Sequence, residues 1–228
     1  MTTTLFVERA PFGVLVGVRV ESGARAELLA RVHPDEAALA ATWGDLRVRT
    51  FVAGRTALRA ALRALAVDDA DAPVLRTARG APLVSERVRA SVTHKEEIAV
   101  ALACRADLTG AGAFHVGVDV EVPPGPKDDV SRHVLTPREV AELDALSPDA
   151  RRREVLLRFS LKEALYKALD PFVQRYVGFH EVEVRPRVDG GAAFTLALKD
   201  ASDGAFAVEG EHREIGGAFV TMVQVRRP

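Results

Sequence analysis

The residues of this chain best suited to chemistry lie in Phe159-Ser160-Leu161-Lys162-Glu163-Ala164-Leu165-Tyr166-Lys167-Ala168-Leu169. A lysine ammonium is a compact charge suited to phosphate, and a carboxylate beside it can hold a cation or take a proton. Of the 31 lysines and arginines only Lys95, Lys127, Lys162, Lys167 and Lys199 are lysine, so the pair in this stretch looks chosen. Upstream, His115-Val-Gly-Val-Asp119-Val-Glu121-Val122 alternates strictly, which in a strand puts Asp119 and Glu121 on one face and the valines on the other. Like charges on one strand face repel unless a cation lies between them, and hard carboxylate oxygens, with Gly117 leaving room, suit Mg2+. Two plainer readings compete: a Glu163–Lys167 pair supporting an exposed helix, and a half-buried strand with a solvated acidic face.

These groups need elements to position them. At about 100° per residue, a helix gathers Leu157, Leu161, Ala164, Leu165 and Ala168 on one side. Glu163 and Lys167 share the other side with Leu156 and Phe159. Ser147-Pro148-Asp149 is expected to start this helix and Asp170-Pro171 to stop it. A shorter one opens at Thr136-Pro-Arg-Glu139, with the spacing of a capping box. Earlier, residues 12–20 form a β-rich run whose Gly13 and Gly17 predict bulges or close backbone contacts. Helices are predicted at 34–42 and 50–66, the second with Phe51, Leu58, Leu62 and Leu65 as an apolar stripe. Short strands at 180–188, 192–199, 204–211 and 217–226 read as a small antiparallel sheet, and Pro123-Pro-Gly-Pro ends the strand before them. Thr109-Gly-Ala-Gly-Ala113 reads as a joint, dividing the chain into halves 1–111 and 112–228.

Cations gather locally in a chain whose net charge is only -1. From Arg47 to Arg63 there are five arginines and no acid, which favours an anionic ligand over plain solubility. With 6% aromatics and no nucleic-acid module around the cluster, a nucleotide phosphate fits better than DNA or RNA. Arg76-Thr-Ala-Arg79-Gly80 puts two more cations on a turn that could face phosphate. Thr93-His94 ends a strand; alone, His94 reads as a surface or capping histidine. The single cysteine, Cys104, excludes a disulfide framework and a multi-thiolate metal site. With neither a leader pattern nor an apolar run of membrane-spanning length, the expectation is a cytoplasmic protein with no membrane partner.

Taken in order, Gly117-Val-Asp119-Val-Glu121, then Lys162-Glu163-Ala164-x-x-Lys167, then Tyr176-Val-Gly-Phe179 resembles the 4'-phosphopantetheinyl transferases of the large bacterial type. Phe51-Val-Ala-Gly-Arg55-x-x-x-Arg59, Arg79-Gly80-x-Pro82 and Ser91-Val-Thr-His94 support it. The resemblance departs at Phe159, where many members have Trp, and at Ala81, where many have Lys. It implies an α+β fold of two similar α/β halves related by a pseudo-two-fold axis, each a small, mainly antiparallel sheet on a long helix, with coenzyme A and Mg2+ between them; Mn2+ is the other metal to consider. Asp119, Glu121 and Glu163 would bind the metal. Arg47, Arg55, Arg76, Arg79, Thr93, His94, Lys162 and Lys167 would hold coenzyme A, with Asp119, Glu163 and Lys167 catalytic. The implied partners are apo acyl or peptidyl carrier proteins of fatty-acid, polyketide, nonribosomal peptide or siderophore synthesis, and a monomer suffices. Arg132, His133, Arg138 and Arg151-Arg152-Arg153 are candidates for carrier docking, with a solvated helix start as the competing reading of the last three. A non-catalytic homologue that binds coenzyme A or a carrier is the rival function.

Overall fold

The structure is a computed structural model, and it describes residues 3–68, 70–95, 97–106, 112–123 and 130–228. The joint residues 109–111, the proline stop at 124–126 and Lys127 lie outside these. The chain divides into two compact units, Met1–Ala111 and Gly112–Pro228.

In the first unit, β1 (Thr4–Ala10), β2 (Gly13–Arg19), β3 (Val88–His94) and β4 (Ile98–Arg105) form an antiparallel sheet of order β1-β2-β4-β3. Short helices α1 (Arg25–Leu29) and α2 (Pro34–Ala40) lead to α3 (Asp45–Ala64), which packs on the sheet. The periodicities explain the contact. Val14, Val16 and Val18 of β2 and Ala99, Ala101 and Ala103 of β4 form one core with Ala57, Leu58, Ala61 and Leu62 of α3. Each fully buried leucine there is worth about 1.5–3 kcal/mol. Small residues bring helix and sheet close, and a Cβ on Gly54 would press on Val92. Gly17 meets its expectation likewise: a Cβ there would enter the Phe6 ring, next to a register shift between β1 and β2. α3 begins five residues before the expected 50, because Gly44 and Asp45 make a helix start that the apolar stripe alone does not reveal.

The second unit carries β5 (Phe114–Glu121), α4 (Ser131–Val134), α5 (Pro137–Leu143) and α6 (Pro148–Val173). They are followed by β6 (Val182–Pro186), β7 (Gly191–Leu196), β8 (Ala207–Ile215) and β9 (Ala218–Arg226). The antiparallel sheet has the order β5-β9-β8-β7-β6, and α6 packs on β5, β9 and β6. Ser147 caps α6 through Ala150 N, as expected, but Pro171 does not stop it. The helix runs one turn further and ends at Gln174, whose backbone is left-handed (φ 49°).

Gly117 has a different task from the one its sequence suggested. A Cβ there would collide with the Ala164 carbonyl, so the glycine lets the α6 backbone lie against β5 instead of leaving space for an ion. Asp119 and Glu121 thus share the strand face that α6 covers, and the valines at 116, 118 and 120 are buried too. No described helix is long and apolar enough to cross a membrane.

Candidate functional site

In the second unit the chemistry-bearing groups meet where α6 crosses β5. Lys167 Nζ donates to Asp119 Oδ1 at 2.8 Å and to the Val118 carbonyl at 2.9 Å. Ser160 Oγ donates to Asp119 Oδ2 at 2.9 Å and lies 2.9 Å from Thr221 Oγ1, which itself donates to the Ser160 carbonyl. Thr221 stands directly across from Asp119 in the β5–β9 register. The carboxylate is 5% exposed, so it needs these partners. The Lys167 side chain keeps 30% of its exposure, with its charge at the edge of the site. Glu163 sits one turn before Lys167, half-buried, and its charge adds to burial in pushing the Tyr166 hydroxyl up. That hydroxyl oxygen is buried with no hydrogen-bond partner among the described residues.

Lys162 does not flank this group: its side chain is fully buried, and Nζ donates to Glu139 Oε2 at 2.7 Å and to the carbonyls of Val134 and Phe179. Burial draws its pKa down, against the pull of Glu139. The reason is its place on the helix, where it points to α5 while Glu163 and Lys167 point elsewhere. Glu139, the capping-box residue at Thr136, also accepts from Val184 N, so all of its oxygens are engaged. No three His, Cys, Asp or Glu side chains among the described residues are arranged to hold a metal ion. Asp119, Glu121 and Glu163 have the hard oxygens that Mg2+ takes, and both oxygens of Asp119 have hydrogen-bond donors.

The first unit holds a separate cavity of about 230 Å3 lined by Trp43, Arg47, Thr50, Phe51, Arg55, Arg76 and His94, with three arginines and no carboxylate in its walls. Arg47 and Arg55 come from α3, about two helical turns apart, and His94 from the end of β3. Arg76 comes from a closed turn: it bridges Pro82, Thr77 N donates to the Ala81 carbonyl, and Gly80 supplies the left-handed residue (φ 90°). Arg55 also ties α3 to the following segment, donating to the carbonyls of Val74 and Leu75 above the Phe51 ring, and burial brings its pKa to about 10. A wider opening of about 680 Å3 shares Arg47, Thr50 and His94 and adds Asp45, Leu46 and Lys95. Arg79 is exposed on its turn and Thr93 buried in β3; neither lines the cavity.

Sequence reasoning did not single out Ser160, Thr221, Glu139 or Trp43 as site-building residues. Only Ser160 carried a signal, a hydroxyl on the covered side of a helix beside the acidic strand. Of the docking candidates, Arg138 pairs with Glu142 and Glu183, Arg151 with Asp144, Arg152 with Asp149 and Arg153 with Glu214. This favours the solvated-helix reading for the last three. Arg132 and His133, exposed on α4, make no such pair among the described residues.

A mixed α+β chain with an anion-ready cavity and a lysine–carboxylate group is consistent with enzymes that handle phosphate. Two family models match it: the 4'-phosphopantetheinyl transferase N-terminal domain over residues 35–104 and the 4'-phosphopantetheinyl transferase superfamily over residues 115–220. The 4'-phosphopantetheinyl transferase Npt of Nocardia iowensis is 30% identical over 78% of this chain and 74% of its own length. Svp of Streptomyces mobaraensis is 36% identical over 73% of this chain, and PptT of Mycobacterium tuberculosis 31% over 68%. The match spans 65% and 66% of those two relatives, just under two thirds of either. The chain belongs to the 4'-phosphopantetheinyl transferase superfamily.

Proposed function

We propose that this protein transfers the 4'-phosphopantetheine arm of coenzyme A to a serine of an apo carrier protein. The observation that carries the reading is the acid-free cavity of the first unit, whose arginines and histidine suit the phosphates of the nucleotide end, in a chain of this family. The serine oxygen would form a bond to the β-phosphorus while the bond to the bridging oxygen breaks, and adenosine 3',5'-bisphosphate leaves. Catalysis of this kind is mainly positioning and charge stabilisation. Lys167, tethered to Asp119 but partly exposed, would neutralise charge on phosphate oxygens. Glu163, half-buried one turn away, is our candidate to take the serine proton. Arg132 and His133 are the cations we assign to carrier docking.

A divalent metal, Mg2+ or Mn2+, belongs to this proposal on donor chemistry alone, through Asp119, Glu121 and Glu163. The steps above rest on side chains alone. The second reading is a homologue that binds coenzyme A or a carrier without transfer; it predicts a lost metal carboxylate, and Asp119, Glu121 and Glu163 are all present. Intact-mass spectrometry of apo carrier domains incubated with the protein, coenzyme A and Mg2+ separates the two. A mass gain of one phosphopantetheine arm supports transfer, and binding of coenzyme A with no gain on any carrier supports the second reading.

A further inference from the structure

Several arginines in the first unit are fixed by acids and others by backbone carbonyls. Arg25 pairs with Asp45, Arg31 with Glu21, Arg59 with Glu36 and Arg63 with Asp71. Arg47 and Arg76 are held differently: among the described residues neither has a carboxylate partner, and both guanidiniums lie over the ring of Trp43, at 4.3 and 5.1 Å from its centroid. We infer that Trp43 is a positioning residue that holds Arg47 and Arg76 for one phosphate group of the nucleotide, doing with a ring face what carboxylates do for the arginines around it. This deepens the coenzyme A reading proposed above and rests on it.

The chemistry favours a ring over an acid here. A bidentate carboxylate uses two of the five N–H donors of a guanidinium and brings a negative charge that would repel an incoming phosphate. An aromatic face attracts the same cation through its π-electrons, leaves the in-plane donors available and adds no charge. The ring is itself held in place. Trp43 lies in the turn between α2 and α3, where its backbone N–H donates to the Ala40 carbonyl at 3.1 Å. Phe51 meets it edge-on at 5.1 Å and 82°, and it packs on a small cluster with Leu28, Val48 and Val52. Arg47 reaches the ring from the first turns of α3 and Arg76 from the 76–82 turn, so one aromatic group sets the spacing of two cations from separate segments. Two like charges would otherwise move apart.

Trp43 is the single tryptophan of the chain, which makes its own emission a probe. The test compares wild type, Trp43→Phe and Trp43→Leu by calorimetric titration with adenosine 3',5'-bisphosphate, after thermal melts monitored by circular dichroism identify the folded variants. A cation–π contact of the usual strength predicts about tenfold weaker binding for Trp43→Leu and a loss within about threefold for Trp43→Phe. In transfer assays the effect should fall on KM for coenzyme A rather than on kcat. Bisphosphate should also change Trp43 emission in wild type and fail to do so in Arg47→Gln/Arg76→Gln. The inference is overturned if folded Trp43→Leu binds as tightly as wild type, or if folded Trp43→Phe is as weak as Trp43→Leu. Wild type that binds bisphosphate but loads no carrier sinks the transfer reading and leaves Trp43 in its role; wild type that binds no bisphosphate sinks both.

Discussion

The two units place a similar layer, one long helix on an antiparallel sheet, at the service of opposite electrostatic arrangements. The first leaves Arg47 and Arg76 on an aromatic ring with no acid in the cavity; the second ties the lysines of α6 to acids, Lys162 to Glu139 and Lys167 to Asp119. An unneutralised cation costs little while it stays near water, and such a site can accept an anion without first breaking an ion pair. A cation drawn under a helix must bring its own counter-charge. The first arrangement therefore suits recognition, and the second fixes geometry.

Breaking the buried lock should give the largest effect. Lys162→Met leaves Glu139 buried with the N–H groups of Thr136 and Val184 but without its cation, and should cost about 3–5 kcal/mol of stability in denaturant titration. In folded protein, KM for coenzyme A should stay at the wild-type value; a large rise would return Lys162 to the phosphates. Asp119→Asn comes next. It keeps the size of the side chain and the chance of a bond to Ser160 but removes the charge that holds Lys167. Transfer is expected to fall about 100-fold or more in kcat with a thermal melt near wild type. Wild-type turnover would remove Asp119 from the machinery.

The contrast between the units was only partly legible in the sequence. Alternation in 115–122 and the helical stripe around 161 gave β5 and α6, and the acid-free arginine run pointed at the cavity, because periodicity and local charge are properties of short stretches. Lys162 and Lys167 differ by five residues, about 140° around a helix, so one enters the core while the other reaches its edge. Which lysine does which depends on α5, whose Glu139 advertises itself only as a cap. Gly117 misled for a similar reason: a missing side chain signals close approach without naming the neighbour. Trp43 was silent because its meaning comes from Arg76, more than thirty residues away and brought to the ring by a turn.

Acid sharpens the comparison through another lock in the second unit. Arg175 bonds to both Glu181 and Asp203, at 2.8 and 2.6 Å. Burial works against the Glu181 carboxylate, but Arg175 and the N–H groups of Gly178 and Lys199 outweigh it and hold the pKa down to about 2. Because the folded value lies below the unfolded one, this stabilisation is fully present above about pH 4.5 and is lost as pH falls toward 2. Glu181→Gln should lower stability by about 1–3 kcal/mol at pH 7 and narrow its gap to wild type as the pH drops through that window. A constant gap down to pH 2 would mean that the carboxylate is not held as described.

Salt should produce the smallest effect and the cleanest separation of the two arrangements. Arg47 and Arg76 are exposed, so their attraction for a phosphate acts partly through solvent and is open to screening. Ionic strength that shortens the Debye length from about 10 Å at 0.1 M to about 3 Å at 1 M should weaken binding of adenosine 3',5'-bisphosphate several-fold. Arg76→Gln should reduce both the affinity and its salt slope, since one screened charge is gone. The Lys162–Glu139 pair has no exposure to screen, so the stability penalty of Lys162→Met should be nearly the same at both salt concentrations. If the bisphosphate affinity proved insensitive to salt while that penalty shrank with it, the roles given to the two units would have to be exchanged: the cavity would bind by shape, and the buried lysine would be reachable by ions.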